Sequence, residues 1–182
     1  MKTPTLILID FQKEYQTPGR DFYIQGIEES LQKSSQILSF ARKNAWNIIH
    51  VKHYRENAHG DKLFSKESPF SDYINEFRPK ENEKEIIKYL YSSFSAPEFE
   101  QELQKQPDSP IFIIGYNTAM CVLSTIIEGY HRGYKMTLLK DASSAKSDGI
   151  TPAKERHDML TSVLSSFGEV ETVDEVLVKY SY

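Results

Sequence analysis

The sequence predicts an α/β protein built around a parallel sheet, and two observations carry that expectation. Short apolar runs alternate with longer amphipathic segments along the whole chain. The first run, Thr5-Leu6-Ile7-Leu8-Ile9, is unbroken and β-rich, the pattern of a buried strand. Strands that alternate with helices imply parallel pairing, with helices covering both faces of the sheet.

Residues 5–9 form the first predicted strand. Residues 26–44 place Ile27, Leu31, Ile37, Leu38 and Ala41 at mostly helical spacing. Residues 46–51 read as a second strand. Residues 54–83 are polar and irregular, with Gly60, Pro69 and Pro79, and predict a loop with short helical pieces overhanging the site. Residues 85–88 read as a third strand and 97–105 as a helix with Pro97 near its start. A fourth strand at 110–114 is ended by Gly115. Residues 118–132 carry Val122, Leu123, Ile126, Ile127 and Tyr130 on one face, so a helix follows. A fifth strand at 135–139, a helix at 152–166, a sixth strand at 169–173 and a final turn complete the reading.

Composition bounds the function. The 182 residues suit one domain, taken here as 1–182. Apolar residues make up 39% and charged residues 26%, a soluble globular balance. The net charge of −4 argues against a nucleic-acid partner. No apolar run approaches the ~18 residues that a membrane span needs. The opening residues lack a signal-peptide pattern, so the expectation is a cytoplasmic protein with no membrane partner. A single cysteine excludes an intrachain disulfide and a cysteine-based zinc cluster.

In open parallel sheets, ligands bind beyond the carboxyl ends of strands, near the point where strand order reverses. Asp10 directly follows the first strand, Lys88 ends the third, and Cys121 lies just beyond the fourth, in the first turn of its helix. A thiolate is the nucleophilic form of cysteine, and a helix N-terminus with a nearby ammonium favours it. Asp10 would accept the thiol proton and later deliver it to a leaving amine. Each residue alone has a plainer reading. Cys121 fits a small buried hydrophobe, Asp10 a turn cap, and Lys88 a solvated strand end.

Around these residues the sequence resembles the isochorismatase-like hydrolases. Leu8-Ile9-Asp10-Phe11-Gln12 is similar to the family's opening motif. Lys88-Tyr89-Leu90-Tyr91-Ser92-Ser93-Phe94 is similar to its second, and Ile114-Gly115-Tyr116-Asn117-Thr118-Ala119-Met120-Cys121-Val122 to its third. Gly133-Tyr134, Asp141-Ala142-Ser143-Ser144 and His157 also fit. The resemblance implies a catalytic triad of Asp10, Lys88 and Cys121. It also implies a Rossmann-like three-layer sandwich with a six-stranded parallel sheet. A cis peptide between Tyr116 and Asn117 would aim the amides of Asn117 and Cys121 into one oxyanion hole. Homo-oligomers are common in the family, so one is expected here. Ser93 replaces the usual alanine, and Tyr116 and Asn117 are larger or more polar than in many relatives.

No cofactor and no catalytic metal are expected. Nicotinamidases of the family carry an Asp-x-His zinc motif after the second strand, where this chain reads His50-Val51-Lys52-His53-Tyr54-Arg55. Histidines three apart on a strand face opposite ways and cannot share one ion. The pocket residues expected are Phe11, Gln12, Tyr15, His53, Phe94 and Tyr116. His53 also fits a satisfied, partly buried histidine. Tyr15, Phe22, Tyr54, Phe64, Phe70, Tyr73, Tyr91 and Phe94 would clamp a planar substrate or pack the long loop or a subunit interface. Arg55 and Arg78 are carboxylate-anchor candidates, or simply solvated.

The function expected is cleavage of a C–N bond in a small amide, ureido or carbamoyl compound through a thioester. The alternatives are a vinyl-ether hydrolase of the isochorismate type, whose branch typically lacks the cysteine, and a silent binding protein with the same fold.

Overall fold

A computed structural model describes residues 2–181. Six strands run β1 (Thr5–Ile9), β2 (Asn47–His53), β3 (Lys84–Lys88), β4 (Ile111–Gly115), β5 (Met136–Ser143) and β6 (Glu169–Glu171). Five helices run α1 (Ile27–Lys43), α2 (Pro97–Gln104), α3 (Leu123–His131), α4 (Ala153–Leu164) and α5 (Val173–Tyr180). All strand pairs are parallel, in the order β3-β2-β1-β4-β5-β6. The order reverses between β1 and β4, which places the crevice there.

Both central strands, β1 and β4, are buried along their whole length. Alternate side chains serve two cores. Leu6, Leu8, Phe112 and Ile114 join the core packed under α1 and α5. Ile7, Ile9, Ile111 and Ile113 join the core under α2, α3 and α4. The result is the three-layer sandwich that unbroken apolar strands require. Among the described residues no helix is long and apolar enough to cross a membrane.

Three local features depart from the sequence reading. The helix expected over 118–132 opens as a wide turn over Thr118–Val122 before regular α3 begins. There the N–H groups of Met120 and Val122 both donate to the Asn117 carbonyl, at 3.0 and 3.3 Å. β5 runs on to Ser143, past residue 139, because the β4–β5 register shifts and then pairs Gly115 with Ser143. The tail forms a two-turn helix rather than a final turn. Thr172 caps it, with Glu175 returning the bond to the Thr172 backbone. β6 is correspondingly short, ending at Glu171.

Gly115 is where the crevice demands glycine. Its φ is +139°, and a Cβ there would fall 2.1 Å from the Ile9 carbonyl oxygen. Next to it the Tyr116 N–H donates to that carbonyl at 2.9 Å, locking β4 to β1 at the top of the sheet. The long segment over 54–83 contains two short 3₁₀ turns, Pro69–Ser71 and Asn75–Phe77. It is held down by Glu14, a buried carboxylate that accepts two bonds from Arg20 and one from the Phe64 N–H.

Candidate active site

Asp10, Lys88 and Cys121 meet in one place. The Lys88 Nζ lies 2.9 Å from Asp10 Oδ2 and 3.3 Å from Cys121 Sγ. Strand order explains how. Lys88 ends β3, two strand spacings from β1, roughly 10 Å away, so only a long side chain reaches Asp10 across β2. Asp10 leaves β1 with φ +56°, a left-handed conformation that aspartate enters more readily than most residues. Cys121 is delivered by the wide turn after β4.

The three groups are desolvated: Asp10 is 0% exposed, Lys88 1% and Cys121 3%. Burial opposes the Lys88 charge, but Asp10 and Cys121 outweigh it and hold the ammonium above its ordinary value. Burial pushes the Cys121 thiol well up; Asp10 adds to this and Lys88 offsets part of it. This corrects the expectation of a depressed thiol. The helix end and the ammonium do not outweigh desolvation, so the resting sulfur is a neutral thiol beside a buried ion pair. Asp10 Oδ1 has no hydrogen-bond partner among the described residues, leaving one buried carboxylate oxygen as a free acceptor.

His53 and Tyr15 complete the surroundings. His53 pairs in register with Lys88, and its Nδ1 lies 3.4 Å from Lys88 Nζ. An ammonium only donates, so Nδ1 accepts and the neutral ring carries its proton on Nε2. Burial lowers the His53 pKa to about 4, the Lys88 charge adding to the effect while Asp10 opposes it. Because the folded state resists this proton, stability is full above pH 6.5 and falls as pH drops toward 4. We expect His53 to contribute a loss of up to about 3 kcal/mol across that window, so His53→Phe should lose correspondingly less, as read by urea unfolding at stepped pH. Burial raises the Tyr15 hydroxyl, and the charges of Cys121 and Asp10 add to it.

Other expected pocket residues point elsewhere. Gln12 spends its amide on backbone, donating to the His53 and Ser71 carbonyls and accepting from the His53 N–H, so it is a structural clamp. The Phe11 ring packs on Phe77 and Tyr116 in the α1-side core. The Tyr116 hydroxyl pairs with Ser30 of α1 at 2.9 Å, so only its backbone faces the crevice. Phe94 packs on Phe99 and Tyr134, with Arg132 over its ring, in the core that also contains Cys121. The Tyr116–Asn117 peptide is cis. Arg78 is ion-paired with Asp72. Among the described residues there is no group of three side chains suited to a metal ion. His50 turns to Glu83, away from His53.

Several contributors were not legible in the sequence. The Leu90 carbonyl lies 3.3 Å from Lys88 Nζ. Thr125 Oγ1 donates to the Cys121 carbonyl at 2.7 Å and accepts from the Ser93 N–H at 2.9 Å, tying the segment after β3 to the cysteine turn. No composition or periodicity signal marks such pairs.

A parallel sheet with a lysine, a carboxylate and a thiol in contact at its switch point defines a class of hydrolase, and comparison places the chain within it. The isochorismatase domain model matches residues 4–175, so the chain belongs to the isochorismatase family of hydrolases. It is 28% identical to the secreted isochorismatase effector Isc1 of Verticillium dahliae, over 94% of this chain and 88% of that one. It is 20% identical to the maleamate amidohydrolase of Pseudomonas putida, over 97% and 86%. It is 24% identical to the ureidoacrylate amidohydrolase RutB of Caulobacter segnis, over 94% and 83%. Among solved structures, an isochorismatase from Pseudomonas putida superposes with a TM-score of 0.85 at 28% identity, covering 94% of this chain and 89% of that one. A cysteine hydrolase from Pseudomonas syringae superposes at 0.86 with 24% identity, covering 98% and 93%, and shares the fold.

Proposed function

We propose that this hydrolase cleaves the C–N bond of a small amide, ureido or carbamoyl compound through a thioester on Cys121. The observation that carries the reading is the buried contact of Lys88 with both Asp10 and Cys121, with Asp10 Oδ1 left unbonded. In the reaction Asp10 takes the thiol proton as sulfur attacks the carbonyl carbon. The amides of Asn117 and Cys121 hold the oxyanion. Asp10 then gives its proton to the departing nitrogen, the C–N bond breaks, and ammonia or an amine leaves. Water attacks the thioester, again with Asp10 as base, and the sulfur departs with its proton. Lys88 holds Asp10 and Cys121 in place through its contacts with both. The thiol needs no low pKa at rest, because its proton leaves as the bond to carbon forms.

The rim supports a finer reading, that the substrate carries an acidic group. Arg55 and Lys146 both lie against the Phe22 ring, at 6.0 and 5.3 Å, and neither has a carboxylate partner among the described residues. Phe22 meets Tyr15 and Phe64, and Phe64 meets His53, so a continuous run of rings leads from the cations to the residues around Lys88 and Cys121. Maleamate and ureidoacrylate, in the names of two relatives, are both carboxylates. Arg55→Ala is expected to raise KM about tenfold for a carboxylate-bearing amide with kcat little changed, and to leave neutral amides unaffected. Steady-state kinetics on a matched pair of substrates checks this.

The thiol is 3% exposed, and the exposed residues Tyr89-Leu90-Tyr91 directly follow Lys88, with the Leu90 carbonyl 3.3 Å from its Nζ. A screen of small amides, ureas and carbamoyl compounds for ammonia release tests the function, with Cys121→Ala as control. Release by the wild type alone supports it; equal release by both proteins refutes it. The presence of Cys121 within its full motif weighs against a vinyl-ether hydrolase, and an assay with isochorismate separates the two.

A further inference from the structure

Thr118 sits directly after the cis Tyr116–Asn117 peptide and is fully buried. Two bonds tie it to the rest of the fold. Its N–H donates to the Ser144 carbonyl at 2.8 Å. Its Oγ1 lies 2.9 Å from Nδ1 of His157 on α4. The other ring nitrogen, Nε2, lies 2.9 Å from the Lys140 carbonyl of β5.

These distances fix the direction of every proton in the chain. A backbone carbonyl can only accept, so Nε2 carries the proton and donates to Lys140. The Nδ1 of that neutral ring can only accept, so the Thr118 hydroxyl donates to it. Burial lowers the His157 pKa and keeps the ring neutral, Lys154 and Lys140 acting the same way. The Lys140 carbonyl and Asp158 oppose them.

We propose that His157 is a positioning residue for the reaction: by accepting from Thr118 it pins the turn that carries the Asn117 and Cys121 amides. This rests on the cysteine-hydrolase reading above. The turn after β4 is wider than a regular helix, and Met120 and Val122, on either side of Cys121, share one acceptor. Thr125 ties its cysteine end through the Cys121 carbonyl, and the two bonds made by Thr118 anchor its start from outside. His157 touches neither the thiol nor Asp10; it acts on the oxyanion amides through one hydroxyl. Small displacements of such donors are costly to the transition state and nearly silent for binding.

Two side chains divide the functions of the ring. Asparagine places an acceptor where Nδ1 stands, and glutamine places a donor where Nε2 stands. The probe is p-nitrophenyl acetate, with acylation read as the burst of p-nitrophenolate and stability read as Tm. His157→Ala is expected to slow the burst about tenfold at an unchanged half-saturating concentration. His157→Asn should restore the burst while leaving Tm low, because the Lys140 bond stays lost. His157→Gln should recover Tm and leave the burst slow. Thr118→Val, isosteric and free of the folding risk at His157, should match the alanine variant, and the double variant should be no slower. A burst that follows the Lys140 bond instead, or that is indifferent to all four substitutions, overturns the proposal. So does a ¹⁵N spectrum showing His157 protonated on Nδ1. Equal p-nitrophenolate release by the wild type and Cys121→Ala overturns the underlying hydrolase reading, a result distinct from Cys121-dependent release with indifferent variants at positions 118 and 157.

Discussion

Cys121→Ala is expected to lower turnover by at least about 10³-fold while the protein stays folded. The two halves of that expectation have separate causes. The sulfur is the only group in the site able to form the thioester, and neither Asp10 nor Lys88 can replace it. The structural cost is small, because the substitution removes one buried atom. About 1 kcal/mol is expected, a fall in Tm of a few degrees for a chain of this size. Cys121→Ser should be nearly as inactive, since a hydroxyl yields its proton to a carboxylate far less readily than a thiol does. Residual turnover near the wild-type rate in either variant, on the wild type's own substrate, would remove the nucleophile from the account. Because burial holds the resting thiol high, the free protein should also resist iodoacetamide near neutral pH, with alkylation accelerating as pH rises.

Lys88→Met is expected to abolish activity and to destabilise the fold by about 3–5 kcal/mol. Asp10 and Lys88 are both essentially without solvent, so removing the ammonium leaves an uncompensated carboxylate in the interior. The loss reflects that stranded charge rather than the net worth of the pair. A companion substitution separates the two. Asp10→Asn with Lys88→Met leaves no charge behind and should be more stable than Lys88→Met alone, though equally inactive. Urea unfolding of the two single variants and the double variant provides the cycle. A double variant less stable than either single one would show that the pair stabilises the fold by more than mutual compensation.

The sheet and the meeting of Asp10, Lys88 and Cys121 were legible because their signals are local. An unbroken apolar run marks a strand buried on both faces, and β1 and β4 are the two central strands. Asp10 directly follows such a run, Cys121 lies one turn beyond another, Lys88 ends the third strand, and parallel strands place their ends together. The lining of the site was not legible, because side-chain direction there is set by turns rather than by periodicity. Gln12 and Phe11 adjoin Asp10 in sequence, yet one is consumed by backbone bonds and the other faces the core. Tyr116 adjoins the turn that carries Cys121 and still sends its ring toward Ser30. His157 lies 39 positions from Thr118, and only the packing of α4 on the turn brings them together. The state of the thiol was misread for a related reason. The helix end and Lys88 were visible in the sequence, whereas the depth of burial that outweighs them was not.

The central claim is a covalent bond between substrate carbon and the Cys121 sulfur. The most direct measurement is rapid acid quenching of a turning-over mixture, followed by intact-protein and peptide mass spectrometry. An adduct equal in mass to the acyl half of the substrate is expected, confined to the Cys121 peptide, released by hydroxylamine and absent from Cys121→Ala. Sustained turnover with no adduct at any quench time, or with the acyl group on another residue, would contradict it.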